Sequence, residues 1–213
     1  MTPCSSDPPH VPLPMFPLGS VLFPGMPLPL HVFEPRYQAL VRDCLANRQE
    51  FGVVLIERGF EVGGGDVRFS VGTVAHIAVA EQVGDGRWVV EAIGTHRIRV
   101  VSWLPDDPYP LALVEDLPDT PGAADAGQFG AAERAVRRAL TLKEEMAEPW
   151  FPARTQLSED ALVAAWQLAA IAPLGALDQQ RLLEVDDPVS RLALLQRLAE
   201  DEAEMLAYRL SGG

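Results

Sequence analysis

Lysine is nearly missing from this chain. Lys143 is the single one among 17 basic residues, which face 30 acidic ones for a net charge of −13. Binding of nucleic acid depends on neutralising phosphates with Lys and Arg, and this balance opposes it. The excess of acid is read as keeping the protein soluble. Cysteine is scarce too. Cys4 falls in a polar stretch and Cys44 on the apolar stripe of an expected helix, so a disulfide is not expected. Two cysteines so far apart cannot form a zinc knuckle either. No apolar run approaches the ~20 residues needed to cross a bilayer. The opening MTPCSSDPPHVP lacks the basic start and apolar core of a secretory signal. The expected location is the cytoplasm, away from membranes.

The motifs of several large enzyme classes are also missing. There is no G-x-x-x-x-G-K-[ST], no G-x-S-x-G, no H-E-x-x-H and no C-x-x-C. His10, His31, His76 and His96 are isolated in sequence. His76 and His96 fall on expected strands and could frame a site with a carboxylate, which keeps a small hydrolase or ligand-binding enzyme as an alternative. Two ordinary strand histidines are the simpler reading. The pairs Asp106-Asp107 and Asp186-Asp187 adjoin prolines and fit turns or helix caps better than acid–base catalysis. No cofactor, metal or catalytic residue is expected, and the chain is read as not an enzyme.

What is present is a hydrophobic content of 48% and 19 prolines, five of them within FPLGSVLFPGMPLPLHVFEPRY, residues 16 to 37. Hydrophobicity at this level supports a packed core. Proline lacks a backbone donor and is excluded from central strands, so strands here must be short, bent or at an edge. Val21–Phe23 is read as one short strand, cut by a Pro24-Gly25 turn, and Leu30–Phe33 as another. Pro35 then suits the first turn of a helix, with Tyr37, Leu40, Val41, Cys44 and Leu45 on one face. Strands are expected at Phe51–Ile56, Val71–Glu81, Trp88–Ile93, Thr95–Trp103 and Tyr109–Asp116, with a hairpin at Gly84-Asp85-Gly86 and a flexible loop around Gly63–Gly65. After Pro118 the chain reads as helical: Ala131–Met146, a helix capped by Ser158, a short one from Asp178, and a long one opened by Asp187-Pro188. Leu162, Trp166 and Ala169 are assigned to one face of their helix, and Leu192, Leu195, Leu198 and Met205 of the long helix are expected to be available for burial. The expected organisation is a disordered tail at 1–11, a β-rich domain at 12–118, a linker at 119–127 and a helical bundle at 128–211.

The stretch LPMFPLGSVLFPGMPLPLHVFEPRY, residues 13 to 37, resembles the start of the amino-terminal, substrate-binding domain of the Lon protease family, above all its stand-alone bacterial versions. Phe51–Ile56, Val71–Ile77, Gly94-x-x-Arg97-x-Arg99, Pro108–Pro110 with Ala112–Glu115, and Gln180–Glu184 with Asp187, Arg191 and Leu192 continue the resemblance. It implies an α+β fold: a twisted, partly closed β-domain of the PUA-like type with one early helix, followed by a helical bundle. In full-length Lon proteins this domain helps to capture unfolded or tagged polypeptides. Neither ATPase motifs nor a protease domain are found in these 213 residues, so only binding carries over.

The function expected is therefore a non-enzymatic module that holds unfolded or partly exposed polypeptide segments, in a groove with apolar walls between the two halves. The alternative is a regulatory adaptor with one dedicated partner protein. Candidate wall residues are Phe16, Met26, Phe33, Tyr37, Trp103 and Tyr109. Trp150-Phe151-Pro152 is expected either to pack over the β-domain or to form an exposed patch. Arg97 and Arg99 are expected to pair with carboxylates such as Glu115.

Overall fold

A computed structural model describes residues 12–58, 67–84, 86–120, 122, 125–148 and 150–212. The expected tail at 1–11, the glycines at 63–65 and Asp85 of the hairpin lie outside them. The elements in chain order are β1 (Pro12–Leu18), β2 (Pro27–Val32), α1 (Pro35–Ala46), β3 (Glu50–Arg58), β4 (Val67–Val83), β5 (Arg87–Leu104) and β6 (Leu111–Asp116). Four helices follow: α2 (Ala126–Glu145), α3 (Ala161–Ile171), α4 (Ala176–Glu184) and α5 (Pro188–Leu210). This is the expected α+β fold, one early helix within a β-part and a helical part after it. The sheet order is β2-β5-β4-β3-β1-β6, and β6 pairs again with β5. Five strands thus close on themselves, and β2 hangs on β5 as an edge.

The prolines resolve into one rule of placement. Residues of β1 and β2 are in strands after all, although the sequence pattern assigns no strand to 12–18 or to 27–29. In β2, the Gly94 N–H donates to the Met26 carbonyl, which sets the ladder bonds of the following register at Leu28, Leu30 and Val32. Pro27 and Pro29 alternate with these, so their nitrogens face the open edge, where no donor is needed. In β1 the Met15 N–H donates to the Pro110 carbonyl, so odd-numbered residues point their backbone toward β6 and even-numbered ones toward β3. Pro12 and Pro14 face the β3 side, but β3 pairing starts only at Met15. Pro17 faces the β6 side after β6 has ended. Each proline nitrogen of these two strands meets an unpaired side. The same prolines protect the β2 edge against strand addition. A Pro27→Val, Pro29→Val double variant is accordingly expected to self-associate on gel filtration; an unchanged elution peak would show that something else protects the edge.

Val21–Phe23 is not a strand. This segment crosses the sheet, and its backbone is satisfied differently: the buried Thr73 hydroxyl donates to the Leu22 carbonyl at 2.6 Å, and the Met26 N–H closes a turn onto the Phe23 carbonyl. The Pro24-Gly25 turn is as read, with Gly25 at φ 76. The crossing also explains Gly94, which looked like a break between two strands. β5 runs unbroken through it, and a Cβ at this position would come within 2.5 Å of the Phe23 carbonyl oxygen. Glycine is there for close backbone approach.

α1 begins at Pro35 and buries Tyr37, Leu40, Val41 and Cys44 against the sheet, as the apolar spacing predicts. Phe16, Phe51, Val53, Ala75 and Val90 form the opposing wall. A second small core, Met15, Val54, Val74, Ile98 and Ala112, fills the other face of the same strands. In the helical part Asp187 caps α5 through the Ser190 N–H, with Pro188 in the first turn. Asp160, rather than Ser158, caps α3, accepting from Leu162 and Val163; Ser158 Oγ instead accepts from the Asp160 N–H. Trp166 and Ala169 are buried, but Leu162 is exposed. Leu192, Leu195 and Leu198 are buried; Met205 is exposed and Leu206 takes the inward place.

Where a groove was expected between the halves, the structure has packed side chains. Phe23 inserts into the helical core and stacks on Trp166 at 5.6 Å. Arg97, from β5, is buried beneath Asp119 and the α4–α5 connection. Its guanidinium donates to the Leu183 carbonyl at 2.8 Å, to Asp119 at 2.8 Å and to Asp186 at 3.2 Å. Arg191 from α5 grips Asp119 from the other side at 2.6 Å and lies over the Trp166 ring. Arg99, one residue pair along the strand, makes the expected surface contact with Glu115 at 3.6 Å.

Candidate functional site

The six candidate wall residues divide by exposure. Phe16 and Tyr37 stack on each other at 4.1 Å inside the core, and Tyr109 is also buried. These three are corrected from wall to core, since a buried ring offers a passing peptide almost no area. Met26 is half-buried and touches both main cores. Trp103 is half-buried beneath the Arg68 guanidinium, 4.5 Å from its ring. Phe33 stands out at 59% exposed, immediately after the edge strand ends.

Phe33 borders a sheet face that faces solvent. The register aligns Pro27 with Ile93 and His76, Pro29 with Glu91 and Val79, and His31 with Val89 and Glu81 across β2, β5 and β4. Pleating puts each such row on one side. Ile93 is 47% exposed, and Val79 and Val83 are 45% each. Near Phe33 the surface dips into a pocket of about 350 Å3 walled by Val32, Val83, Trp88 and Val89. In its wall the Trp88 indole N–H is buried and has no acceptor. Sequence reasoning found Phe33 but missed Val79 and Ile93. Alternation in WVVEAI marks two faces of the strand, yet nothing local says which one α1 covers.

A larger cleft, about 1240 Å3, opens between the C-terminal turns of α1, the start of β1, and strands β5 and β6. Its walls combine Pro12, Leu13 and Leu111 with four carboxylates, Asp43, Glu50, Glu115 and Asp116. Tyr109 donates its hydroxyl to Asp43 at 2.7 Å, and burial together with this carboxylate holds the phenol well above its ordinary pKa. Cys44 also borders the cleft. Its thiol donates to the Glu50 carbonyl at 3.2 Å, and burial pushes its pKa up to about 12. A thiol so held stays protonated and is no nucleophile.

The two strand histidines lie apart in role. His76 sits on the exposed face. His96 contacts Asp116 through Nε2 at 3.2 Å and Thr95 Oγ1 through Nδ1 at 2.9 Å. A hydroxyl, an imidazole and a carboxylate in line superficially suit a hydrolase. Thr95 also gives its hydroxyl proton toward the Val74 carbonyl, at 3.1 Å. The Asp116 side chain is 82% exposed. Water-screened partners of this kind neither hold an imidazole rigidly nor activate a hydroxyl.

Residues 12–201 match the family model of the ATP-dependent protease La (LON) substrate-binding domain. The chain belongs to that family. A Lon N-terminal domain protein from Xanthomonas campestris, solved as a crystal structure, is 32% identical and superposes with a TM-score of 0.63, over 87% of this chain and 96% of that one. The N-terminal domain of a Mycobacterium avium complex Lon protease shares the fold at 16% identity, with a TM-score of 0.59 over 90% of this chain and 99% of that one. Lon protease 2 of Myxococcus xanthus is 31% identical over 91% of this chain but only 24% of its own length. A LON peptidase N-terminal domain and RING finger protein of Schizosaccharomyces pombe is 25% identical over 86% of this chain and 44% of its own length. The chain thus spans less than half of these curated relatives.

Proposed function

We propose that this protein is a non-enzymatic polypeptide-binding module, without ATPase or protease activity, that holds exposed apolar segments on the β2-β5-β4 face with Phe33 as the anchor. The observation that carries this is the set of exposed apolar side chains on one sheet face, with Phe33 and Val83 at one end and Val79 and Ile93 further along the strands, on a sheet whose other face is packed beneath α1. Single exposed apolar residues are ordinary, but here four share one face, with the exposed carboxylates of Glu81 and Glu91 between them, so the contact offered is apolar and acidic together. Pro27 and Pro29 deny the peptide a strand-addition mode at this edge, so binding is through side chains. Membership in the substrate-binding family supports the same reading. We read the module as acting in the cytoplasm without metal, cofactor, nucleic acid or membrane.

The test is a Phe33→Ala, Val79→Ser double variant titrated with a reduced, carboxymethylated unfolded protein. Affinity is expected to fall roughly tenfold, about 1–2 kcal/mol. Stability should change by less than about 0.5 kcal/mol, because both side chains are at the surface. Undiminished binding would remove the face from the account. The adaptor reading draws on one observation, the exposure of Trp150 and Phe151 on the helical part at 44% and 45%. Loss of a single tight partner on Phe151→Ser, with unfolded-chain binding intact, would favour it.

A further inference from the structure

We infer that the acid-lined cleft selects what the apolar face holds: segments in which an arginine or lysine lies about three residues from an apolar anchor. The inference rests on the polypeptide-binding reading above. The two surfaces meet through the register. Ile93 on β5 aligns with His76 on β4, and His76 with Glu50 on β3, which is itself part of the cleft wall. Ile93 and Glu50 are two strand spacings apart, about 10 Å. That is about three residues of extended chain crossing the strands.

The cleft lining carries more acid than base. Asp43, Glu50, Glu115 and Asp116 line it, with Arg48 and His96 as the basic groups among the lining residues. Arg99, outside the lining, contacts Glu115, and His96 contacts Asp116. Asp43 accepts from the Tyr109 hydroxyl, a neutral donor that leaves the carboxylate's charge in place, and Glu50 holds the end of the cleft nearest the face. Pro12, Leu13 and Leu111 provide apolar surface for the methylene stem of a long cationic side chain, whose head reaches the carboxylates. An acidic side chain in the same place meets repulsion, which is selection by exclusion as well as attraction.

The experiment uses three fluorescent 12-residue peptides with a central phenylalanine, flanked three residues away on both sides by arginine, serine or glutamate. Anisotropy titrations are run at low and high salt on the full chain and on Glu50→Gln and Glu50→Lys, with sedimentation recording the oligomeric state. The arginine peptide is expected to bind at least about fivefold tighter than the serine one, and the glutamate peptide weakest. The advantage should shrink with salt, fall in Glu50→Gln and reverse in Glu50→Lys. Equal binding of the three peptides, or an arginine preference intact in Glu50→Lys, overturns the inference and leaves polypeptide binding standing. Binding of none of them overturns the functional reading as well. A dimer that excludes peptide and releases the site on dilution would assign the face to a second copy and also overturn the inference.

Discussion

Arg97→Leu is expected to lower the unfolding free energy by about 3–5 kcal/mol, the range for breaking a buried ion pair from one side. Arg97 is 2% exposed. Its removal takes the cation from Asp186 and the donor from the carbonyls of Leu183 and Pro118, and leaves Asp119 to Arg191 alone. Arg191 remains on Asp119 but cannot span to β5. Burial lowers the Arg191 pKa while Asp119 opposes that shift, so this second cation depends on the same carboxylate. Arg97→Lys should rescue little, because one ammonium cannot fork to several acceptors in different directions. Urea unfolding followed by far-UV circular dichroism measures the loss. A change below about 1 kcal/mol would show that the two halves are held by apolar contacts alone.

Phe23→Ala is expected to destabilise by about 3–5 kcal/mol, as for other large-to-small changes in a packed core. Phe23 is 1% exposed and belongs to the helical core although it is encoded between β1 and β2. Its ring stacks on Trp166. The useful contrast is Phe33→Ala, ten residues on, which leaves stability nearly unchanged and weakens binding. If both variants lost equal stability, the division between core ring and contact surface would be wrong. Thermal unfolding of the two proteins side by side decides it.

Sequence periodicity served well where one face repeats over several turns. α1 was legible from Pro35 and the spacing of Tyr37, Leu40, Val41 and Cys44, and α5 from the Asp187-Pro188 cap. The resemblance to the Lon substrate-binding domain was legible in the proline-rich block. β1 and β2 were harder to see because proline counts against a strand unless its nitrogen faces an unpaired side, and that depends on registers formed with β6 and β5 far along the chain. Gly94 reads locally as a break, whereas its cause, the Phe23 carbonyl, is seventy-one residues away in sequence. The same limit applied to the candidate site. Phe16, Phe23 and Phe33 look alike in sequence, and only the fold separates two core rings from one exposed anchor.

The most direct measurement is a two-dimensional NMR titration of the labelled full chain with an unfolded polypeptide. Resonances of Phe33, Val79, Val83 and Ile93 are expected to shift together and saturate, with Phe16, Phe23 and Trp166 unmoved. Shifts confined to Trp150, Phe151 and the helical surface, with the β2-β5-β4 face silent, would contradict this expectation.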